Sequence, residues 1–470
     1  MPCLGNFRID VEIAIFVFFL ALMFQGSVTT NLIMYRTCYV TLGFNKSECA
    51  LLGTDHTDNK TAELEEKVQP HATVILMSRS IIEAIIPPIL CFFIGPWSDK
   101  YGRKPVMLFS FAGFSISYLT MLIICALPNV SPWYFVLSVV PVCISGGFAS
   151  FLTALLSYIT DVTNEENIGI RMGIFEAMLT LGVVTGILSS SYVLNMYGYI
   201  VIYAICAFLM FLGWAYTILF IQESVQTIDT NENKLKKLFT FTLVKESFNT
   251  LFRRRDNYDR AILFCIILLM ITFVLTYGAD DGVIFLYLRE KFHWSLKIFT
   301  FFSSINNVSW IIGSLVGVYL LNKVLYISET AVMLLGLVSS SFSAILLGIA
   351  VTNWEVYTAG NIKCFGGAVT PMARSLLSKL IPSEESGKIF SVVTSLETVG
   401  ALAGSPIYTY IYNSTVSTFP GVYNFLTAGL FIFGTILTLA IIIMRRCSRP
   451  IEYHYLIEEG SDNQVNVTIQ

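Results

Sequence analysis

Twelve apolar runs, each about as long as a helix that crosses a bilayer, punctuate the chain: 11–35, 72–97, 105–126, 132–160, 171–196, 199–221, 260–287, 298–322, 328–352, 355–380, 389–412 and 422–444. A helix rises about 1.5 Å per residue, so roughly 20 apolar residues traverse the hydrocarbon layer. Inside lipid, every backbone N–H and C=O must be paired within the protein, which restricts spanning segments to helices and closed barrels. Runs of this length predict an all-α membrane protein with twelve transmembrane helices. The first run is too long for a signal-peptide core and lacks a small-residue cleavage site, so it reads as a retained helix. Composition agrees: hydrophobic residues make up 55% and charged residues 13%, against about 25% charged in soluble domains. No tract is basic enough to suggest a nucleic-acid partner, and no CxxC or Cys/His spacing suggests a metal site.

The positive-inside rule sets the orientation. With the N-terminus inside, 19 of the 29 Lys and Arg fall on the cytoplasmic side, seven outside and three within helices. Both termini are therefore expected in the cytoplasm. The glycosylation sequons beginning at Asn45, Asn59 and Asn413 fall in the outer loops on this assignment, whereas Asn466 falls in the cytoplasmic tail. Cys38 and Cys49 share the first outer loop, and an extracellular setting would favour a disulfide between them. The polar segment 222–259 divides the runs six and six. The expected organisation is an N-terminal half (1–221), a cytoplasmic linker (222–259), a C-terminal half (260–444) and a tail (445–470), as in transporters built from two parallel repeats.

Between the second and third runs lies GPWSDKYGRK, residues 95–104, fitting G-x-x-x-D-x-x-G-R-K. Gly95 permits close helix approach, Gly102 a tight turn, and Arg103 a bidentate pair with a carboxylate. At this place and on this side of the membrane, the pattern resembles the signature of the major facilitator superfamily, over roughly residues 11–444. The resemblance implies a fold of two six-helix halves. It also implies that Asp99 faces the start of the eleventh helix near Lys388; Asp161, at the end of the fourth run, is the expected partner of Arg103. These charges would form a cytoplasmic latch that holds an outward-facing state.

Ionisable groups within membrane helices are costly and are functional candidates by default. Here they are Arg79 and Glu83, four apart on one face, Glu176, Asp280, Asp281, Lys363, Arg374 and Glu397. The stretches RMGIFEAMLTLGVVTG (171–186), YGADDGVIFLYL (277–288) and TPMARSLLSKLIPSEESGKIFS (370–391) resemble the proton-coupled folate transporter family, solute carrier family 46. That resemblance implies proton coupling at Glu176, and Asp281 matches an acid of the seventh-helix segment; Glu397 is a further candidate acid by its place in a membrane run. The resemblance implies substrate-anion or proton-linked binding at Arg374; Arg79, Glu83 and Lys363 are further binding candidates by their place in the membrane runs alone. The proton gradient is then the driving force, and no cofactor is expected. The folate carrier has His and Arg where this chain has Thr276 and Pro141, residues 289–297 carry no cysteine, and SLETVG around Glu397 is closer to non-folate relatives.

The leading expectation is a proton-coupled symporter of folate-like or other bulky organic anions, monomeric or weakly homo-oligomeric. Alternatives are a carrier of cyclic dinucleotides or muropeptides, a proton-driven drug exporter, and a transport-dead receptor or scaffold. No nucleophile–base set suggests an enzyme. Residence is the plasma membrane or, alternatively, the lysosome. YHYL (453–456) fits a tyrosine-based sorting signal, and Cys447 beside Arg445 and Arg446 fits a palmitoylation site.

Overall fold

The computed structural model describes residues 10–50, 52, 59–225, 240–255, 257–294, 296–415 and 418–447. The sorting motif and the tail sequon lie outside them. Among the described residues every regular element is a helix. The first half comprises α1 (Val11–Arg36), α2 (Asn59–Tyr101) and α3 (Lys104–Ala126). It continues with α4, a 3₁₀ turn (Pro132–Ser138) leading into Val139–Ile144 and Gly147–Val162. The helical stretch Glu165–Phe220 then breaks at Gly198, whose φ of 77° and ψ of −179° suit only glycine, into α5 and α6.

A linker helix (Phe241–Phe252) precedes the remaining spans. These are α7 (Asp259–Phe292), α8 (Leu296–Leu315, continued by the π-helix Val316–Val324), α9 (Glu329–Ile349), α10, α11 (Ser386–Thr415) and α12 (Val422–Cys447). α10 is discontinuous: Asn353–Ile362, a 3₁₀ segment Lys363–Ala368, then Val369–Leu380.

Ten helical stretches among the described residues are long and apolar enough to cross a membrane. The two runs that fall short, α10 and α11, carry Lys363, Arg374, Lys388 and Glu397 among many Ser, Thr and Gly. Their polarity has a packing reason. Val369 and the stretch from Pro371 to Ser378 are buried, so these residues face protein, where polar groups find partners. α2 is the opposite case, with Ile81, Ile85, Ile86 and Ile89 each 42–53% exposed along one side. Such an apolar stripe suits lipid. The core beside α1 is aromatic: Phe18 stacks on Phe151 with centroids 4.2 Å apart and meets Phe114 edge-on at 4.7 Å.

At the end of the bundle opposite the 95–104 motif, Cys38 and Cys49 are bonded, closing a loop with a sequence separation of 11. Asn45 caps the short helix inside this loop and is exposed. Asn413 is exposed near the end of α11, while Asn59 opens α2 with a side chain outside the described set. Closing a loop of this length stabilises by about 3 kcal/mol. A Cys38→Ser/Cys49→Ser variant should therefore be cleaved by trypsin after Lys46 about a hundredfold faster than the parent, where cleavage follows the open population. Equal cleavage rates would show that the bond does not hold the loop.

Candidate functional site

Two polar clusters join helices from both ends of the sequence. The first is built on the 95–104 motif. Gly102 ends α2 with a φ of 115°, and a Cβ there would strike the carboxylate of Glu223. That carboxylate accepts the backbone N–H groups of Arg103 at 2.8 Å and Lys104 at 3.2 Å, so it caps the N-terminus of α3. Asp99 accepts the N–H groups of Gly387 and Lys388 at 2.7 and 2.9 Å, in the first turn of α11. Arg103, 1% exposed, sits between two acids: Nη1 is 2.6 Å from Asp99 and Nε is 3.1 Å from Asp161. It also donates to Ser98 and Ser386. Gly95 permits this contact, since a Cβ would overlap Ser391 and the carbonyl of Gly387.

Hydroxyls extend the seam. Thr153 meets Thr394 at 2.7 Å, Thr160 meets Ser378 at 2.7 Å, and Ser395 donates to the carbonyl of Pro88. α2 and α4 are thus bonded to α10 and α11, closing this end of the bundle.

The second cluster lies beyond the seam. Arg374 on α10 donates to Glu176 on α5 at 2.9 Å and lies 3.6 Å from Glu397 on α11. Arg374 and Glu397 line a cavity of about 500 Å³, whose lining also includes Glu83, Phe148, Leu152 and Thr394, and Glu176 reaches it through its bond to Arg374. Thr394 belongs to both seam and lining, so the seam forms the cavity floor. One guanidinium here serves two carboxylates, while Arg374 Nε and Glu397 Oε1 have no partner among the described protein atoms. An arginine fork with unused donors in a large, mostly apolar cavity suits an anionic group on a bulky organic molecule.

The other sequence candidates divide. Arg79 pairs with Glu83 at 3.3 Å, and of the two Glu83 lines the cavity. Lys363 lies apart from Arg374, although both are on α10. Its ammonium is 3.4 Å from Asp280 and sits over the Tyr277 ring, beside a separate cavity of about 80 Å³ that Asn306 and Trp310 also line. Asp281 falls in α7 with its side chain outside the described set.

Two buried acids escaped sequence reasoning. Glu12, 0% exposed, pairs with Arg171 at 2.9 Å and ties α1 to α5. Glu329 on α9 pairs with Lys379 at 2.9 Å and accepts from Ser375 on α10. Each sits at the edge of an apolar run, where an acid reads as a solvated helix end. Glu223 was missed for a similar reason, since a lone acid in a linker carries no signal of the turn it caps.

Comparison with known proteins agrees with this architecture. The family profile described as Major Facilitator Superfamily matches residues 80–405. A Drosophila melanogaster protein named "Probable peptidoglycan muropeptide transporter SLC46" is 30% identical over 443 residues, covering 92% of this chain and 85% of that one. The Bos taurus "Proton-coupled folate transporter" is 24% identical over 430 residues, covering 91% and 90%. The crystal structure of the human organic anion transporter MFSD10 superposes with a TM-score of 0.67 at 14% identity, covering 91% of this chain and 99% of that one. The chain belongs to the Major Facilitator Superfamily and, within it, to solute carrier family 46.

Proposed function

We propose that the protein is a proton-coupled symporter of bulky organic anions that works by alternating access, binding its substrate in the 500 Å³ cavity against Arg374. The observation that carries this reading is the sharing of Arg374 between Glu176 and Glu397. An incoming carboxylate or phosphate competes with these acids for the same fork. An acid that loses the guanidinium inside an apolar cavity takes up a proton, because an unpaired carboxylate there is costly. Anion binding and proton uptake thereby become linked.

The 95–104 seam is the cytoplasmic gate in this reading, so the described state faces outward. The two six-helix halves, 1–221 and 260–444, rock about the cavity; parting α2 from α11 releases substrate and proton to the cytoplasm. Both termini then lie in the cytoplasm. Asn45, Asn59 and Asn413 are candidates for glycosylation on the opposite face, at the plasma membrane or in the lysosomal lumen.

The names of the relatives supply the first probes, folate and a muropeptide. Cells expressing the chain should take up one of the labelled probes faster at acidic than at neutral external pH. Glu176→Gln, present at equal surface density, should lose the acid stimulation, since Gln cannot carry a proton. Uptake that is equally pH-dependent in the variant would remove Glu176 from coupling. Uptake of neither probe would redirect the search to cyclic dinucleotides.

A further inference from the structure

The linker helix Phe241–Phe252 buries one side against the protein and leaves three phenylalanines exposed on another. Leu243, Ser247, Thr250 and Leu251 are buried. On this side Glu246 lies 3.0 Å from Lys100 of α2 and 3.6 Å from Lys388 of α11. Just beyond the helix, Arg253 and Arg255 reach Glu385 at 3.3 and 3.2 Å. The helix therefore braces the seam from outside, touching both halves.

Its other face carries Phe241, Phe248 and Phe252, which are 80%, 42% and 60% exposed. A helix lying in water shows polar residues there. These rings are not isolated. Phe241 meets Phe93 of α2 edge-on at 5.8 Å, Phe248 stacks on Phe92 at 5.9 Å, and Phe252 meets Phe264 of α7 at 5.4 Å. α2 is the span with the exposed isoleucine stripe, so its lipid-facing surface continues onto the linker helix. Lys245, Arg253 and Arg254 are exposed around the rings, and residues 234–260 hold eight basic residues against three acidic ones. Aromatic residues on one face with flanking Lys and Arg mark a helix that lies in a membrane interface.

We propose that the linker helix docks on the anionic lipid of the cytoplasmic leaflet, its phenylalanines at the acyl boundary and its arginines on the headgroups. Because the same helix bonds to Lys100 and Lys388, lipid that holds it in place also steadies the closed gate. The proposal rests on the cytoplasmic placement of the seam given above. Its test does not, because a nanodisc exposes both leaflets equally.

The full-length chain carrying Cys3→Ser, Cys447→Ser and Thr242→Cys, labelled with an environment-sensitive fluorophore at Thr242→Cys, is placed in nanodiscs of phosphatidylcholine with or without phosphatidylserine. Quenching by a nitroxide on the lipid is compared with quenching by aqueous iodide. Nitroxide quenching should exceed iodide quenching, rise with phosphatidylserine and weaken with added salt. Arg254→Gln should cut the phosphatidylserine-dependent part about fivefold, the weight of one basic residue at an anionic surface. Phe241→Ser/Phe252→Ser, if monodisperse, should transfer quenching from nitroxide to iodide. Iodide quenching that dominates in both lipids would overturn the docking. Nitroxide quenching identical with and without phosphatidylserine would overturn the anionic specificity.

Discussion

Arg374→Ala should abolish transport and lower the melting temperature together. Truncation leaves Glu176 and Glu397 without the guanidinium that serves both. Breaking a buried ion pair on one side costs about 3–5 kcal/mol, because the remaining charge is left uncompensated. Lost activity alone would then be ambiguous between misfolding and a missing ligand contact. Arg374→Lys separates them: it keeps one positive charge but not the planar fork that reaches two acids and a substrate anion at once. The lysine variant should fold with a melting temperature close to that of the parent and still lose most uptake per molecule at the surface. Normal uptake by either variant would remove Arg374 from the substrate site.

Asp99→Asn should open the gate. Asp99 is bound to two backbone N–H groups of α11 and to Arg103. Asn keeps one carbonyl acceptor but loses the charge that faces both the helix terminus and the guanidinium. Loss of one partner from this buried network costs the closed state about 3–5 kcal/mol, which moves a two-state equilibrium by roughly two to nearly four orders of magnitude. A thiol reporter at Ser378→Cys, on the seam beside Thr160, in a Cys3→Ser/Cys447→Ser background, should react correspondingly faster with an impermeant reagent applied from the cytoplasmic side. An unchanged rate would mean that the charge network does not hold the gate. Transport should fall as well, because a carrier resting inward-open presents its cavity to the outside less often.

How much of the site was legible depended on the kind of signal. Asp99, Gly102 and Arg103 stood out because a charged decapeptide between two apolar runs is conspicuous, and the turn it encodes is local. Glu176, Arg374 and Glu397 stood out because an ionisable residue within a membrane run needs a reason to be there. Their mutual pairing was less accessible. Arg374 and Glu176 are 198 residues apart, and only the packing of α5, α10 and α11 brings them to hydrogen-bond distance. Lys363 and Arg374 looked alike in sequence, yet the 3₁₀ segment Lys363–Ala368 that interrupts α10 leaves them at different cavities. Glu12, Glu223 and Glu329 were invisible because their partners come from other elements.

By itself, the sequence determined that the chain spans a membrane as helices and where its charged turn falls. Those properties follow from hydrophobicity summed over contiguous residues, and the bilayer imposes that sum on each segment alone. Only the tertiary structure decided which charges neutralise one another, which polar helices face inward, and that the linker helix braces both halves while keeping three phenylalanines exposed. These depend on distances between residues remote in sequence, and apolar periodicity carries no information about which buried charge a given helix will meet.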